Sequence, residues 1–380
     1  MTRTLFLCAG EASGDVHGAN LMKALVKQDP DLRFVGVGGP KMRALGLECW
    51  REAETLSVVG LVEVLKNIRF FKRALEELTE KALASGADVF IPIDFPDFNL
   101  RLSARVKAKG MKVFYYISPQ VWAWRRSRVK VIEQICDLLI TLFPFEAQYY
   151  DPKKLKVRNI GHPLCDEIPI GSIPVTPKKG EGKLVIMPGS RHSELEHHMP
   201  VLAEFFMAAH RRWPELEIHL PCAQTLTHDD LWALCPPELK ANMGDKLIVH
   251  EPGLSTPVLE QGHAALIASG TSILQGVLAN RPMALFYRLN AITYWVGKKL
   301  IDLPFVGLAN LVAEREVCHE LIQDDMSVEK LLEETERLMW DEPTRETMLK
   351  DFGEIQQKLG GPGGSERAAQ LVLENLEASR

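Results

Sequence analysis

The feature that most limits what this chain can fold into is a repeated local pattern. A run of apolar residues is followed by a turn of small residues and then by a segment with helical spacing. The stretch Lys183–Glu196, KLVIMPGSRHSELE, shows it most plainly. Leu184–Met187 is a continuous apolar run, as expected of a parallel strand buried on both faces. Pro188, Gly189 and Ser190 make a tight turn. Ser193 and Glu196 have the spacing of an N-cap and its N3 partner, opening a helix that runs through Val201 to Arg212. The pattern recurs at Thr4–Ala9 with Gly10–Asp15, at Ala87–Ile93, at Met111–Ile117 and at Ala264–Ala268 with Ser269–Ser272. Arg33–Val37, Cys136–Thr141, Val157–Ile160, Glu217–Leu220, Lys246–Val249 and Pro282–Tyr287 read as further strands. Strands alternating with helices build parallel sheets covered on both faces, so the fold class is α/β.

A chain of 380 residues has room for two such domains. Ile168–Glu181 is rich in Pro, Gly and Lys and reads as a linker. The expected division is therefore 1–167, a linker at 168–182, a second domain at 183–345, and C-terminal helices from 346 to 380. A Gly-rich break at Gly360–Gly364 would let the last helix cross to the first domain or to a partner chain. The seven cysteines are scattered without a C-x-x-C spacing, which indicates neither a disulfide framework nor a zinc site and favours a reduced, cytoplasmic location. A net charge of −5 argues against nucleic acid as the main partner. The N-terminus lacks the cationic start and long apolar region of a signal peptide, and no uncharged run is long enough to span a membrane.

Two turns have the chemistry of anion sites. A strand, a small-residue turn and a helix N-terminus point free N–H groups and a helix dipole at one place. At Ser190 the turn is joined by Arg191, whose guanidinium forks onto phosphate. The second turn is Ser269-Gly270-Thr271-Ser272. An ordinary strand-to-helix turn with a surface Arg is the plainer reading of the first. Together they suggest a diphosphate ligand at the strand carboxyl ends. The first half offers acids at a strand end instead: Asp94 and Asp97 follow Ala87–Ile93, each equally readable as a turn-forming Asp. Such a pair of domains facing a cleft suits transfer of a group from a nucleoside diphosphate to an acceptor hydroxyl. Arg191 and the helix N-termini would stabilise the leaving diphosphate, and Asp94 or Asp97 would be the base. No metal or other cofactor is required: His192, His197 and His198 with Glu194 and Glu196 lack an H-E-x-x-H spacing.

Leu56–Leu78 has apolar residues at helical spacing flanked by Lys66, Arg69, Lys72 and Arg73. It reads as a core helix with a basic face or as a segment that dips into an anionic membrane surface. Ala291–Ile301 is a second basic amphipathic helix, and Leu308–Asn310 with Glu314–Glu316 reads as a loop after it. Trp122 and Trp124 stand beside Arg125, Arg126, Arg128 and Lys130, facing a lipid interface or a phosphate, or forming a helix with a basic outer face.

Ordered motifs run along the whole chain: AGEASGD at 9–15, VGVGGPKM at 35–42, GLVEVL at 60–65, IDFPDFN at 93–99, SPQVWAWR at 118–125, PFE at 144–146, IGHP at 160–163, PGSR at 188–191, ASGT at 268–271 and ANLVAEREV at 309–317. On these the chain resembles the bacterial lipid-A-disaccharide synthases. The resemblance implies the GT-B fold, two Rossmann-like doubly wound domains facing a cleft. It implies a metal-independent, inverting glycosyltransferase at the cytoplasmic face of the inner membrane. The family joins UDP-2,3-diacylglucosamine to 2,3-diacylglucosamine 1-phosphate (lipid X), giving a β-1,6-linked disaccharide and UDP. Carried over by position, Asp94 is the base on the acceptor 6-hydroxyl and Arg191, with Ser190 in the same motif, the diphosphate ligand. Glu11 and Ser13 line the cleft from the first domain, and Gly270, Thr271 and Asn310 from the second. Val62, Val64, Leu65, Ile68 and Phe71 fall in the membrane-contacting region. The resemblance also allows a swapped homodimer with exchanged C-terminal regions. Gln275 departs from the pattern, where the family has a Glu for the ribose hydroxyls; altered UDP affinity is the expected consequence. His162-Pro163 and Tyr287-Arg288 also match, without an assigned role. The readings set beside this are a UDP-sugar epimerase or hydrolase on the same fold and a non-catalytic membrane-surface protein.

Overall fold

The computed structural model describes residues 3–57, 68–123, 125–290, 294–295 and 303–378. The chain forms two compact units, one of Met1–Pro163 with Leu359–Arg380 and one of Leu164–Lys358. Each is built on one all-parallel sheet.

The first sheet holds β1 (Thr4–Ala9), β2 (Arg33–Gly38), β3 (Glu48–Glu52), β4 (Val89–Ile93), β5 (Lys112–Tyr116), β6 (Leu138–Thr141) and β7 (Lys156–Asn159). Their order is β3-β2-β1-β4-β5-β6-β7. The central strands are apolar on both faces because helices cover both: Leu5 to Ala9 and Val89 to Ile91 are fully buried. The order reverses between β1 and β4, where Ala9 pairs with Ile93. Helices α1 (Ala12–Gln28), α2 (Pro40–Ala44), α3 (Ile68–Ala84), α4 (Pro96–Lys107) and α5 (Arg128–Ile135) connect these strands.

The second sheet holds β8 (Gly182–Met187), β9 (Leu216–Pro221), β10 (Leu247–His250), β11 (Ala264–Ala268), β12 (Met283–Tyr287) and β13 (Glu320–Ile322) in the order β10-β9-β8-β11-β12-β13. Its reversal lies between β8 and β11, with Met187 opposite Ile267. Its helices include α6 (His192–Arg212), α7 (Ser255–Gln261), α8 (Ser272–Leu278), α9 (Leu308–Ala313), α10 (Val328–Trp340) and α11 (Glu342–Lys358). The last helix, α12 (Gly364–Glu377), follows the glycine break and packs on α1, where Lys27 Nζ meets Glu366 Oε1 at 2.7 Å.

The Pro-rich segment after Ile168 is fastened to the second unit by two fully buried arginines. Arg281 donates to Leu259 O at 2.7 Å and Ser172 O at 2.9 Å, and Arg345 to Leu338 O at 2.6 Å and Pro174 O at 3.1 Å. Carbonyls take the place of carboxylates here, so the guanidiniums satisfy otherwise orphaned main-chain acceptors. All seven cysteines are free.

Three expectations are corrected. The helix after the PGSR turn begins at His192 with Arg191 as N-cap, so Ser193 and Glu196 lie inside it and form no capping box. Leu308–Asn310 belongs to a helix, α9, rather than to a loop. Two of the four edge strands, β3 and β13, carry no long apolar run and escape the sequence pattern. Residues 58–67 and most of 291–301 lie outside the described residues, as do Val62, Val64 and Leu65; the side chain of Ile68 is likewise outside.

Candidate active site

Open parallel sheets bind ligands outside the strand carboxyl ends where the strand order reverses. In the first unit that crevice lies between β1 and β4, and the residues that leave those strands are Glu11 and Asp94. Glu11 is the N-cap of α1 and Ser13 lies in its first turn, both exposed. Asp94 is half-buried. Burial first, and the nearby Glu11 carboxylate second, push its carboxyl up to about 6 against the opposing pull of a Phe95 N–H.

The turn that carries Asp94 is strained and braced. Asp94 and Phe95 both adopt left-handed backbone, with φ of 46° and 48°. Such residues cost of order 1–3 kcal/mol each and persist where the surroundings hold them. Here the Asp94 carbonyl accepts from Asn99 Nδ2 and from the Tyr115 hydroxyl, both at 2.8 Å, while Asp94 N donates to Tyr116 O at 3.1 Å. Asn99 Nδ2 also reaches Cys8 O at 3.1 Å, which ties the ends of β1 and β4 together. Gly10 makes room for the Phe95 ring: a Cβ there would lie 2.2 Å from it.

The geometry separates acids that spacing alone left equivalent. Asp97 is held by Arg125 Nη1 at 2.7 Å and by Arg128, so it is engaged with cations. No ion pair holds Asp94 among the described residues. Asp15 is a brace: its carboxylate accepts from the N–H groups of Gly39, Lys41 and Met42 at 2.9–3.0 Å and so caps α2. Glu146 turns inward, accepting from Leu142 N and Phe143 N at 2.9 and 2.8 Å, and burial pushes it up to about 7.

In the second unit, adjacent strands β8 and β11 bring Ser190 and Arg191 beside Gly270 and Thr271. The Arg191 side chain is 74% exposed. An internal anion already occupies its turn. Glu194, in the first turn of α6, accepts from Ser190 N at 2.8 Å, from Arg191 Nη1 at 3.0 Å and from the Tyr287 hydroxyl at 3.3 Å. Gly189, at φ 125°, leaves space for it: a Cβ would lie 2.6 Å from Glu194 Oε2. Behind it the buried His198 spans two strand ends. Its Nε2 accepts from Arg288 N at 3.0 Å, so Nδ1 carries the hydrogen and donates to Pro188 O at 2.6 Å. Burial holds this imidazole below its ordinary range, in the neutral form the two contacts need. Glu194 and His198 entered the sequence reading only as members of a possible metal cluster; their contacts with Tyr287 and Arg288 give that pair its role. The available signal was an acid three residues after the N-cap.

Gln275 sits on α8, and its Oε1 is buried without a protein partner. Asn310 is placed differently from the expectation. It is fully buried, Nδ2 donates to Cys318 O and Glu320 Oε1 at 2.8 Å, and Oδ1 accepts from Val317 N and Cys318 N at 2.8 and 2.9 Å. Those four contacts fill its hydrogen-bonding capacity, making it a brace for the loop that follows α9. Phe71 is half-buried: its ring lies 6.1 Å from that of Phe98 and packs on the core of the first unit. Among the described residues, no group of three or more His, Cys, Asp and Glu side chains is arranged to hold a metal ion.

The chain matches the family model described as lipid-A-disaccharide synthetase over residues 5–373. It belongs to that family. A lipid-A-disaccharide synthase of Myxococcus xanthus is 36% identical over 99% of this chain and 98% of its own length. One from Geobacter sulfurreducens is 37% identical over 98% of this chain and 97% of its own. Solved structures share the fold at low identity. A calicheamicin glycosyltransferase superposes with TM-score 0.59 at 15% identity, covering 99% of this chain and 98% of that one. A UDP-GlcNAc 2-epimerase from Neisseria meningitidis, bound to UDP-GlcNAc, superposes with TM-score 0.60 at 9% identity, covering 98% of this chain and all of that one. The two parallel-sheet α/β units are those of the GT-B fold, and the synthase family favours glycosyl transfer over the epimerase and hydrolase reading.

Proposed function

We propose that this lipid-A-disaccharide synthase family member uses Asp94 as general base in an inverting transfer from UDP-2,3-diacylglucosamine to 2,3-diacylglucosamine 1-phosphate. The observation that carries the assignment is the Asp94 carboxyl itself. It lies at the reversal point of its sheet, without a cationic partner among the described residues, and burial brings its proton affinity to about 6. A base works best when its pKa lies near the working pH. Asp94 takes the proton of the acceptor 6-hydroxyl as that oxygen bonds to the anomeric carbon of the donor sugar. The bond from that carbon to the diphosphate breaks on the opposite face, which inverts the configuration and releases UDP. Charge growing on the diphosphate is met by Arg191 and by the N–H groups of the Ser190 and Gly270–Thr271 turns. That these donors suit an anion is supported by the Glu194 carboxylate, which accepts from Ser190 N and Arg191 Nη1. Gln275 meets the ribose hydroxyls with its buried amide oxygen, without charge.

The substrates are doubly acylated, and each buried methylene favours the bilayer by about 0.8 kcal/mol. Among the described residues no helix is long and apolar enough to cross a membrane. The reading is therefore of a peripheral protein on the cytoplasmic face of the inner membrane, contacting it through Val62, Val64, Leu65 and Ile68. The exposed Arg69, Lys72 and Arg73 of α3 would face anionic headgroups there. Val64→Ser with Leu65→Ser is expected to lower co-sedimentation with anionic vesicles; unchanged binding would remove this contact. A homodimer with exchanged C-terminal helices would repeat the α12–α1 packing between chains, and sedimentation of the purified protein would show it.

Mass spectrometry of the products from both substrates tests the reaction. A tetraacyl disaccharide phosphate that forms only when acceptor is present supports it. UDP released at the same rate without acceptor contradicts it.

A further inference from the structure

We propose that Glu194 is a positioning residue for glycosyl transfer, holding the Arg191 guanidinium and the Ser190 N–H in place for the donor diphosphate. The inference rests on the reading of Arg191 and Ser190 proposed above and adds the group that sets them.

The sequence puts two polar side chains on one helix face. Glu194 and His198 are four residues apart on α6, and residues at that spacing lie one above the other. Both reach the end of β12. Glu194 accepts from the Tyr287 hydroxyl at 3.3 Å, and His198 Nε2 accepts from Arg288 N at 3.0 Å. Both also reach back to the turn that precedes their helix. Glu194 accepts from Ser190 N at 2.8 Å and from Arg191 Nη1 at 3.0 Å, and His198 Nδ1 donates to Pro188 O at 2.6 Å. Phe286, next to Tyr287, accepts from Ser269 N at 3.0 Å. The strand end that anchors Glu194 therefore also borders the second small-residue turn.

The two side chains do different work. His198 is fully buried and joins main-chain groups, as a brace does. The Glu194 side chain is 9% exposed, yet the guanidinium it holds belongs to a side chain that is 74% exposed. Ion pairs made by exposed side chains add little to stability. An Arg side chain has large rotamer freedom, and a contact that removes it in advance spares that cost when a ligand binds. Among the described residues Glu194 is the one hydrogen-bonding partner of this guanidinium, and it engages one of the five N–H donors.

The opposite role for such a carboxylate is competition with the diphosphate, and the geometry argues against it. Glu194 is nearly enclosed and bonded by three donors, and Gly189 leaves the space it fills. Burial first, and the Glu194 charge second, raise the Tyr287 phenol above its ordinary range, which keeps it a donor. A ligand that displaced the carboxylate would forfeit three bonds to a charged group, each equivalent to about 10-fold in affinity.

The test titrates UDP into the full chain by calorimetry, with Glu194→Gln, Tyr287→Phe and Arg191→Ala, and with the first two also made in the Arg191→Ala background. Glu194→Gln is expected to weaken UDP binding on the order of 10-fold, the loss of a charge-assisted contact. Tyr287→Phe removes a single hydroxyl, keeps the test open if Glu194→Gln does not fold, and is expected to weaken binding about threefold. In the Arg191→Ala background both effects should shrink to less than about twofold, because groups that act through one another are not additive. In turnover, the KM for UDP-2,3-diacylglucosamine should rise while the KM for acceptor stays constant. Tighter UDP binding by Glu194→Gln would make the carboxylate a competitor and overturn the proposal. Full losses in both backgrounds would overturn it as well, since the role would not run through Arg191. So would UDP affinity that Glu194→Gln and Tyr287→Phe leave unchanged while Arg191→Ala lowers it, and the reading of Arg191 as a diphosphate ligand would then stand without this inference. If Arg191→Ala itself leaves UDP affinity unchanged, that reading fails and the inference with it.

Discussion

The two sheets reverse their strand order in the same way, yet their reversal points are finished with opposite chemistry. In the first unit the turn after β4 is a half-buried acid on two left-handed residues, gripped from behind by Asn99 and Tyr115. In the second, the turn after β8 is a glycine turn with an exposed Arg191, and its donors are occupied by a side chain, Glu194. On the proposed reading, the difference follows from what each turn would do. A base has to be desolvated to hold a useful pKa and fixed to reach one hydroxyl. A diphosphate site has to accept a charged ligand from water and release it again. The Glu194 carboxylate satisfies the Ser190 N–H and the Arg191 guanidinium there.

The largest expected effect comes from removing the acid that defines the first turn. Asp94→Asn should lower kcat on the order of 10²–10⁴-fold while UDP affinity stays within twofold. The same variant should be more stable at pH 7.5. The folded pKa of about 6 exceeds the ordinary 3.8, so between those values the folded state binds more protons than the unfolded one. Stability therefore falls as pH rises through that window, and removing the charge returns about 1–3 kcal/mol. Chemical denaturation at pH 7.5 checks the sign.

Arg191→Ala should break the second turn instead. Its kcat/KM should drop on the order of 10²-fold, with weakened UDP binding by calorimetry and an unchanged pH profile. If it moved the acid limb of the profile, the two turns would not divide the work as described. Asn99→Ala probes the brace behind the base. Carbonyls at Cys8 and Asp94 would lose a buried donor, costing about 1–3 kcal/mol of stability. A kcat loss of about 10-fold with KM for donor unchanged is expected. Glu11→Gln should have the smallest effect: without that neighbouring charge the Asp94 carboxylate is easier to form, so the acid limb shifts below about 6.

The sheets were legible in the sequence because their central strands are continuous apolar runs. Edge strand β3, ECWRE, and the short β13, ELI, are polar or brief, as edges commonly are, and left no comparable trace. Asp94 and Asp97 looked alike by spacing; only burial and the two arginines tell them apart. Ser193 and Glu196 matched a capping pattern, but the turn ends sooner, so Arg191 takes the cap and Glu194 the anion position. Asn310 was readable as a motif member, though its motif holds a loop rather than a ligand. Such inward uses of polar residues depend on long-range contacts that local pattern does not encode.

The most direct test of Asp94 as the base is the pH dependence of kcat/KM for disaccharide formation by the unsubstituted chain, with Glu11→Gln measured beside it. The expected result is an acid limb near pH 6 that moves to lower pH in Glu11→Gln. A rate that stays flat well below that value, or a limb that Glu11→Gln leaves in place, would contradict the assignment of Asp94.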